Sequence, residues 1–262
     1  MVLLRFSHEM TEGKQVNFAF KTFAVSDLGL HREGNEDSGL ISAKLIAVAD
    51  GMGGHAGGEI ASALAIASLD SNSDEDDFLL TATRKIDNAI MAKSTAQPEF
   101  SGMGTTLTAL YLNGETVELL HVGDSRAYAF DGGKLNQLSQ DHTVMQELID
   151  QGRITPEEAI NHPQRSLLTL ALMGSSEIEP VVQIYPIKLG DQFLLCSDGL
   201  SSVLSDSEIV KIVKKYSGQE LVESLVSETK AKGAPDNVTI IWAEVVSEND
   251  GSPKSLIGAI NG

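Results

Sequence analysis

Five aspartates at widely separated points each sit where the chain is set to reverse. They are Asp37 in NED, Asp50 in LIAVADGMGG, Asp124 in LLHVGDS, Asp198 in FLLCSDG and Asp236 in PDN. Asp50, Asp124 and Asp198 directly follow apolar runs. A short apolar run closed by a turn signal reads as a buried strand. A carboxylate at the end of such a strand lies at the rim of a core, where distant segments converge. Several carboxylates gathered there repel one another and lose hydration. A bound cation removes both costs. The candidate ligands are oxygens, with no Cys or His pattern among them. The ion should therefore be hard, Mg²⁺ or Mn²⁺ rather than structural Zn²⁺.

The segment DGMGGHAGG is the sharpest local signal. Glycine lets backbone approach a ligand closely, so Asp50 can offer its carboxylate and Gly51 its carbonyl. Two other readings exist: a tight turn before a helix, and a phosphate-cradling nucleotide loop. The second would require Gly-Lys-Ser/Thr at its end, and here the loop closes with Gly58-Glu59-Ile60. Cys196 lies inside the apolar run LLCSD, where a cysteine behaves as a small hydrophobe rather than a nucleophile.

These residues need a scaffold. The chain has 262 residues, of which 42% are hydrophobic, enough for one large domain or two small ones. Its net charge of −18 argues against binding a phosphate backbone. Two divalent ions would bring that only to −14, so most of the acid is solvated surface. One cysteine cannot form an internal disulfide, which fits a reducing compartment. MVLLRF is too short for a signal sequence, and no stretch reaches the roughly 20 apolar residues of a membrane span. A soluble, cytoplasmic, monomeric chain is expected.

Phe18 to Val25 is strand-like and Leu45 to Ala49 is a short buried strand. SDLGLHREGNED reads as a polar loop. Glu59 to Leu69 has helical spacing. The acidic run Asp74 to Asp77 suits the start of a second helix, with Phe78, Ala82, Ile86 and Ala89 or Ile90 on its apolar face. Then the period changes to two. Thr105 to Leu112 and Thr116 to Val122 flank Asn113-Gly114 as a hairpin, and Arg126 to Phe130 and Lys134 to Leu138 flank Asp131-Gly132 as another. Helices are expected at Val144 to Gln151, after Thr155-Pro156, after the capping pair Ser205 and Glu208, and over Gln219 to Ala231. Strands are expected at Val181 to Tyr185, Gln192 to Cys196 and Val238 to Val246. Strands and helices come in blocks rather than in βαβ alternation, which predicts an α+β fold with antiparallel sheets.

Seven motifs in order, HREGNED, ADGMGGHAGGE, GMGTT, HVGDSRAY, QDH, CSDGL and PDNVT, resemble those of the metal-dependent protein phosphatases, the PPM or type 2C serine/threonine phosphatases. The likeness runs from about Ala19 to Val246. It is strongest to the bacterial branch, and within it to actinobacterial enzymes that oppose eukaryotic-like serine/threonine kinases.

The resemblance implies a β-sandwich of two antiparallel sheets flanked by helix pairs, with a two-ion centre at one end. It implies a catalytic domain over 19–246 with a flap over about 140–178; the weakly patterned residues 1–18 read as a lead-in and the polar residues 247–262 as a tail. Carried onto matching positions, Asp50 would bridge two Mn²⁺ or Mg²⁺ ions, and the Gly51 carbonyl would bind one of them. Asp198 and Asp236 would hold the other, and Asp37 would act through waters. Asp124, with Asp198, would bind a third, weaker ion. Arg32 would grip phosphate, and His55 would protonate the leaving oxygen. His121 is expected to be structural, and His142 has no assigned chemistry. The implied reaction is in-line hydrolysis of phosphoserine and phosphothreonine in proteins by a metal-activated water, without a covalent phosphoenzyme. The implied partners are a kinase and its targets. Relatives often continue into a membrane anchor. The rival readings are a silent family member, disfavoured because all the matching aspartates are present, and a nucleotide switch, disfavoured by the missing lysine.

Overall fold

A computed structural model of the chain describes residues 17–53, 57–70, 77–160, 162–175 and 178–261. In chain order the strands are β1 (Phe18–Asp27), β2 (Asp37–Ile41), β3 (Leu45–Met52), β4 (Gly104–Thr105), β5 (Leu107–Asn113), β6 (Thr116–Val122), β7 (Arg126–Asp131), β8 (Lys134–Gln137), β9 (Val182–Pro186), β10 (Gln192–Cys196), β11 (Val238–Ser247) and β12 (Ser255–Gly258). The helices are α1 (Gly57–Asp70), α2 (Phe78–Ala96), α3 (Val144–Asp150), α4 (Pro156–Ile160), α5 (Asp198–Ser201), α6 (Asp206–Val213) and α7 (Gly218–Ala231).

One sheet runs β1-β11-β10-β7-β8. The other runs β12-β2-β3-β5-β6-β9, with β4 added beside β3. Successive side chains on a strand point to opposite faces, and this period of two builds three cores from two sheets. On β3, Ile46 and Val48 face the other sheet, where they join Phe20, Leu110, Leu119, Phe193, Leu195 and Ile241. Leu45, Ala47 and Ala49 face outward into a layer closed by Ile66 and Leu69 of α1 and by Leu79, Ile86 and Ile90 of α2. On the other sheet Leu194, Cys196, Ile240 and Trp242 face α6 and α7, through Ile209, Leu221 and Leu225. Strands covered on both faces must be apolar throughout, which is why these runs show no alternation in the sequence. The fold is α+β: two antiparallel sheets between two helical layers.

Both expected hairpins form. Both turn one residue later than their Asn-Gly and Asp-Gly signals suggest: Asn113 still pairs with Thr116 and Asp131 with Lys134, which leaves Gly114-Glu115 and Gly132-Gly133 as the loops. The box at the start of α6 is present, with the Glu208 side chain accepting from the Ser205 backbone N–H. Thr155 and Glu158 form the same reciprocal pair ahead of α4. Of the acidic run before α2, only Asp77 lies within the described residues.

Two strands carry no strand signal in the sequence. β2 opens on Asp37, Ser38 and Gly39, which resemble loop residues, yet all five of its positions are buried. Its polarity is absorbed by partners: the Ser38 hydroxyl bonds that of Ser62 on α1 at 3.0 Å. β12 lies in the stretch read as a polar tail and pairs with β2, Ile257 opposite Gly39. Of the expected lead-in, residues 1–16 lie outside the described residues.

Candidate metal centre

The register of the two sheets brings the aspartates to one end of the molecule. Asp37 begins β2 directly opposite Asp50 near the end of β3. Asp124 follows the end of β6, and Asp198 follows the end of β10. Cys196 pairs with Ile240, so the start of β11, just after Asp236, lies at the same end. Asp50, Gly51, Asp124, Asp198 and Asp236 line one cavity of about 500 Å³ together with Arg32, Glu36 and Thr106.

The backbone around Asp50 is held from several sides. Its N–H donates to the Thr106 hydroxyl at 2.9 Å, and its carbonyl accepts from the Thr106 N–H at 2.9 Å and from the Thr105 hydroxyl at 3.0 Å. Gly51 is pressed between the start of α1 and the segment before β2. A Cβ there would fall 2.0 Å from the Gly58 carbonyl oxygen and 2.6 Å from that of Glu36. No other residue type fits, and the Gly51 backbone is thereby left beside the carboxylates.

Burial dominates the electrostatics. The Asp50 carboxyl is pushed well above the usual range by burial and then by the charges of Asp37, Asp198, Asp124 and Asp236. Asp198 rises to about 6 through burial and the charge of Asp236, and its side chain lies within hydrogen-bonding reach of that of Asp50. Asp124 rises to about 7 through burial and then through Asp198 and Asp141, with Arg126 opposing. These groups share one low-dielectric space, and each makes the ionisation of the next harder.

Asp37 lies behind the cavity rather than on its wall. It is 2% exposed, and it accepts from the Ser197 hydroxyl at 2.7 Å. Burial pushes it up to about 7. Its neighbour Glu36, not among the five expected carboxylates, faces the cavity instead, and burial raises its carboxyl. NED offers both carboxylates without choosing between them. Adjacent residues entering a strand point to opposite sides, so only one of the pair can face a common site. His55 lies outside the described residues.

Arg32 reaches over the cavity rim. Its guanidinium bonds the Asp236 carboxylate at 2.5 Å and stands 3.7 Å from that of Glu36. Asn237 holds this loop in place, donating to the carbonyls of Leu28 and Gly34 and accepting from the Glu36 N–H. The expected flap supplies the facing wall, Ser166 to Ala171 and Met173. A bridge between Leu172 and Thr105 joins it to the sheets, and one between Thr143 and Leu168 ties it to itself.

Among the described residues, no three His, Cys, Asp or Glu side chains stand as a closed metal cage. Asp236 is turned to Arg32, and Asp37 to Ser197. The donor set nevertheless fits divalent cations by its chemistry: carboxylates and a backbone carbonyl, buried and mutually repelling, in a cavity with room for ions and their waters. Cys196 contributes nothing here, because burial pushes its thiol up to about 12.

A family model described as Protein phosphatase 2C matches residues 35–233. The serine/threonine protein phosphatase PstP of Mycobacterium tuberculosis is 44% identical over 255 residues, which cover 95% of this chain and 49% of that protein. The serine/threonine phosphatase stp of Listeria monocytogenes is 33% identical over 235 residues, 84% of this chain and 93% of that one. A crystal structure of the catalytic domain of PstP in complex with two manganese ions matches with a TM-score of 0.82 at 43% identity, covering 88% of this chain and all of that one. The chain belongs to the protein phosphatase 2C family, and its architecture is that of the family's solved bacterial members. It spans about half the length of the PstP protein it matches.

Proposed function

We propose that this chain hydrolyses phosphoserine and phosphothreonine in proteins with Mn²⁺ or Mg²⁺ as cofactor. The observation that carries the reading is the gathering of Asp50, Asp124, Asp198 and Asp236 around one cavity with Arg32 at its rim. Asp50 and the Gly51 carbonyl, with Asp198 and Asp236, would hold a pair of ions; Asp124, with Asp198, would hold a third, weaker one. Glu36 and Asp37 support the site, Glu36 from the cavity wall and Asp37 from behind it. Divalent ions bound there would make water a nucleophile near neutral pH and draw charge from the phosphoryl oxygens.

The chain's own residues do the rest. The planar fork of Arg32 matches two phosphate oxygens, so it would exchange its bond to Asp236 for the incoming phosphate. The flap wall from Leu167 to Met173 sets apolar side chains against the substrate and limits water at the reacting centre. His55 would hand a proton to the departing serine or threonine oxygen. The reading extends to a monomer in the bacterial cytoplasm that reverses the work of a eukaryotic-like kinase. No described helix is long and apolar enough to cross a membrane.

The test is phosphate release from a phosphothreonine peptide. Release in Mn²⁺ that stops on adding EDTA is expected. Undiminished release in EDTA, or none in Mn²⁺, would overturn the reading.

A further inference from the structure

His142 is the described histidine most closely tied to the centre, and no role in the chemistry falls to it. It stands at the root of the flap. Its ring Nδ1 accepts the backbone N–H of Gly123 at 3.0 Å, and its own N–H donates to the Gly123 carbonyl at 2.8 Å. One residue therefore clasps both polar groups of the glycine immediately before Asp124. Its carbonyl accepts from the Thr169 N–H at 2.9 Å, on the stretch of flap that walls the cavity. Its ring stacks on His121 at 4.9 Å between centroids.

The clasped glycine is itself a wedge. Gly123 has φ +106°, and a Cβ there would lie 2.5 Å from the Thr106 side chain. Thr106 accepts from the Asp50 N–H, and its hydroxyl bonds that of Ser125 at 2.7 Å. Thr108 continues the lattice, donating to the Ser125 carbonyl at 2.8 Å and bonding His121 Nδ1 at 2.9 Å. The turn that carries Asp124 is thus packed against the strand end that carries Asp50. His142 closes the turn from the flap side.

We propose that His142 is a positioning residue: through its Nδ1 lone pair it fixes the Gly123 turn and so sets Asp124 toward its ion. An Nδ1 that accepts leaves the ring proton on Nε2, so the ring must be neutral. Burial, which holds this histidine below its ordinary value, favours that form. The essential property is an acceptor at one point. Stacking and bulk are incidental.

That distinction gives the experiment. The variant His142→Asn keeps an acceptor oxygen near the Nδ1 position but loses the ring. His142→Phe keeps a ring to stack on His121 but has no acceptor. The first readout, hydrogen exchange at the Gly123 amide in metal-free protein, needs neither metal nor substrate. The second is the Mn²⁺ dependence of p-nitrophenyl phosphate hydrolysis. The proposal rests on the reading of Asp124 as an ion ligand, and the two readouts separate failure of one from failure of the other. The expected result is slow Gly123 exchange in wild type and His142→Asn, and exchange faster by roughly threefold to tenfold in His142→Phe, the worth of one hydrogen bond. The Mn²⁺ concentration for half-activation should rise in His142→Phe by a similar factor, with little change in His142→Asn. If His142→Phe matches wild type in both readouts, or if His142→Asn is the impaired variant, the positioning role is wrong. Absence of any Mn²⁺-dependent hydrolysis in wild type, with the exchange pattern as expected, would leave the clasp standing and overturn the phosphatase reading instead.

Discussion

Arg32 shows how much of this site is decided by single contacts. Its side chain is 43% exposed, and it is anchored by Asp236 at 2.5 Å and Glu36 at 3.7 Å. On the proposed function, a phosphate arriving in the cavity would offer the same fork a better partner, before the reaction as well as during it. Arg32→Ala should therefore raise KM more than it lowers kcat on a phosphopeptide, and an unchanged KM would reduce Arg32 to a surface residue. At this scale the sequence was informative where a side chain had an unambiguous setting. Asp50 and Asp198 each follow a buried run and precede glycine, and that setting marks a strand end. Glu36 was not legible, because choosing between it and Asp37 requires knowing where β2 begins. Thr106, Thr108 and Ser125 were not legible either. Hydroxyls within and beside strands read as ordinary alternation, and their bonds to Asp50 and to the Asp124 turn are long-range.

At the scale of elements, the joint between β3 and α1 carries the centre. Gly51 has backbone on both sides of its missing side chain, Gly58 from α1 and Glu36 from before β2. Gly51→Ala must push these apart. Overpacking of this kind typically costs about 1–3 kcal/mol, and it should be accompanied by loss of Mn²⁺ affinity. Gly34→Ala is the control, since a Cβ there meets nothing within 4 Å. Surface changes of that sort stay within about 0.5 kcal/mol. Equal melting temperatures for the two variants would show that the joint is not tight. The elements with their own local signals were legible: the hairpins by period and turn residues, α6 by its capping box, and α2 by the apolar face of Phe78, Ala82, Ile86 and Ile90. β2 and β12 were not, because neither has the composition of a strand. β2 exists because β3, β12 and α1 enclose it, and β12 exists because β2 offers it an edge.

The whole molecule brings acid together in a place where acid is unfavourable. Asp37 and Asp124 are pushed to about 7 and Asp198 to about 6, all upward from an ordinary carboxylate. A carboxyl raised on folding binds protons more tightly in the native state than in the unfolded one. Its contribution to stability is full below its unfolded value, about 4, and is lost as pH rises through the folded value. In EDTA the melting temperature should therefore fall between pH 5 and pH 8, by roughly 2–4 °C for each kcal/mol lost in a chain of this size. Mn²⁺ bound to the ionised native site should restore most of that loss, with the larger effect at pH 8. A melting temperature in EDTA that is flat or rises over this range would mean that the carboxylates are not held together as described.

The central claim is that these carboxylates form one divalent-ion centre built on Asp50. Calorimetric titration of Mn²⁺ into wild type and Asp50→Ala tests it most directly. Wild type should take up two ions per chain, with any third binding more weakly. Asp50→Ala should lose the tight pair together, because in the proposed centre one carboxylate would serve both ions. Retention of two tight Mn²⁺ ions by Asp50→Ala would contradict the account.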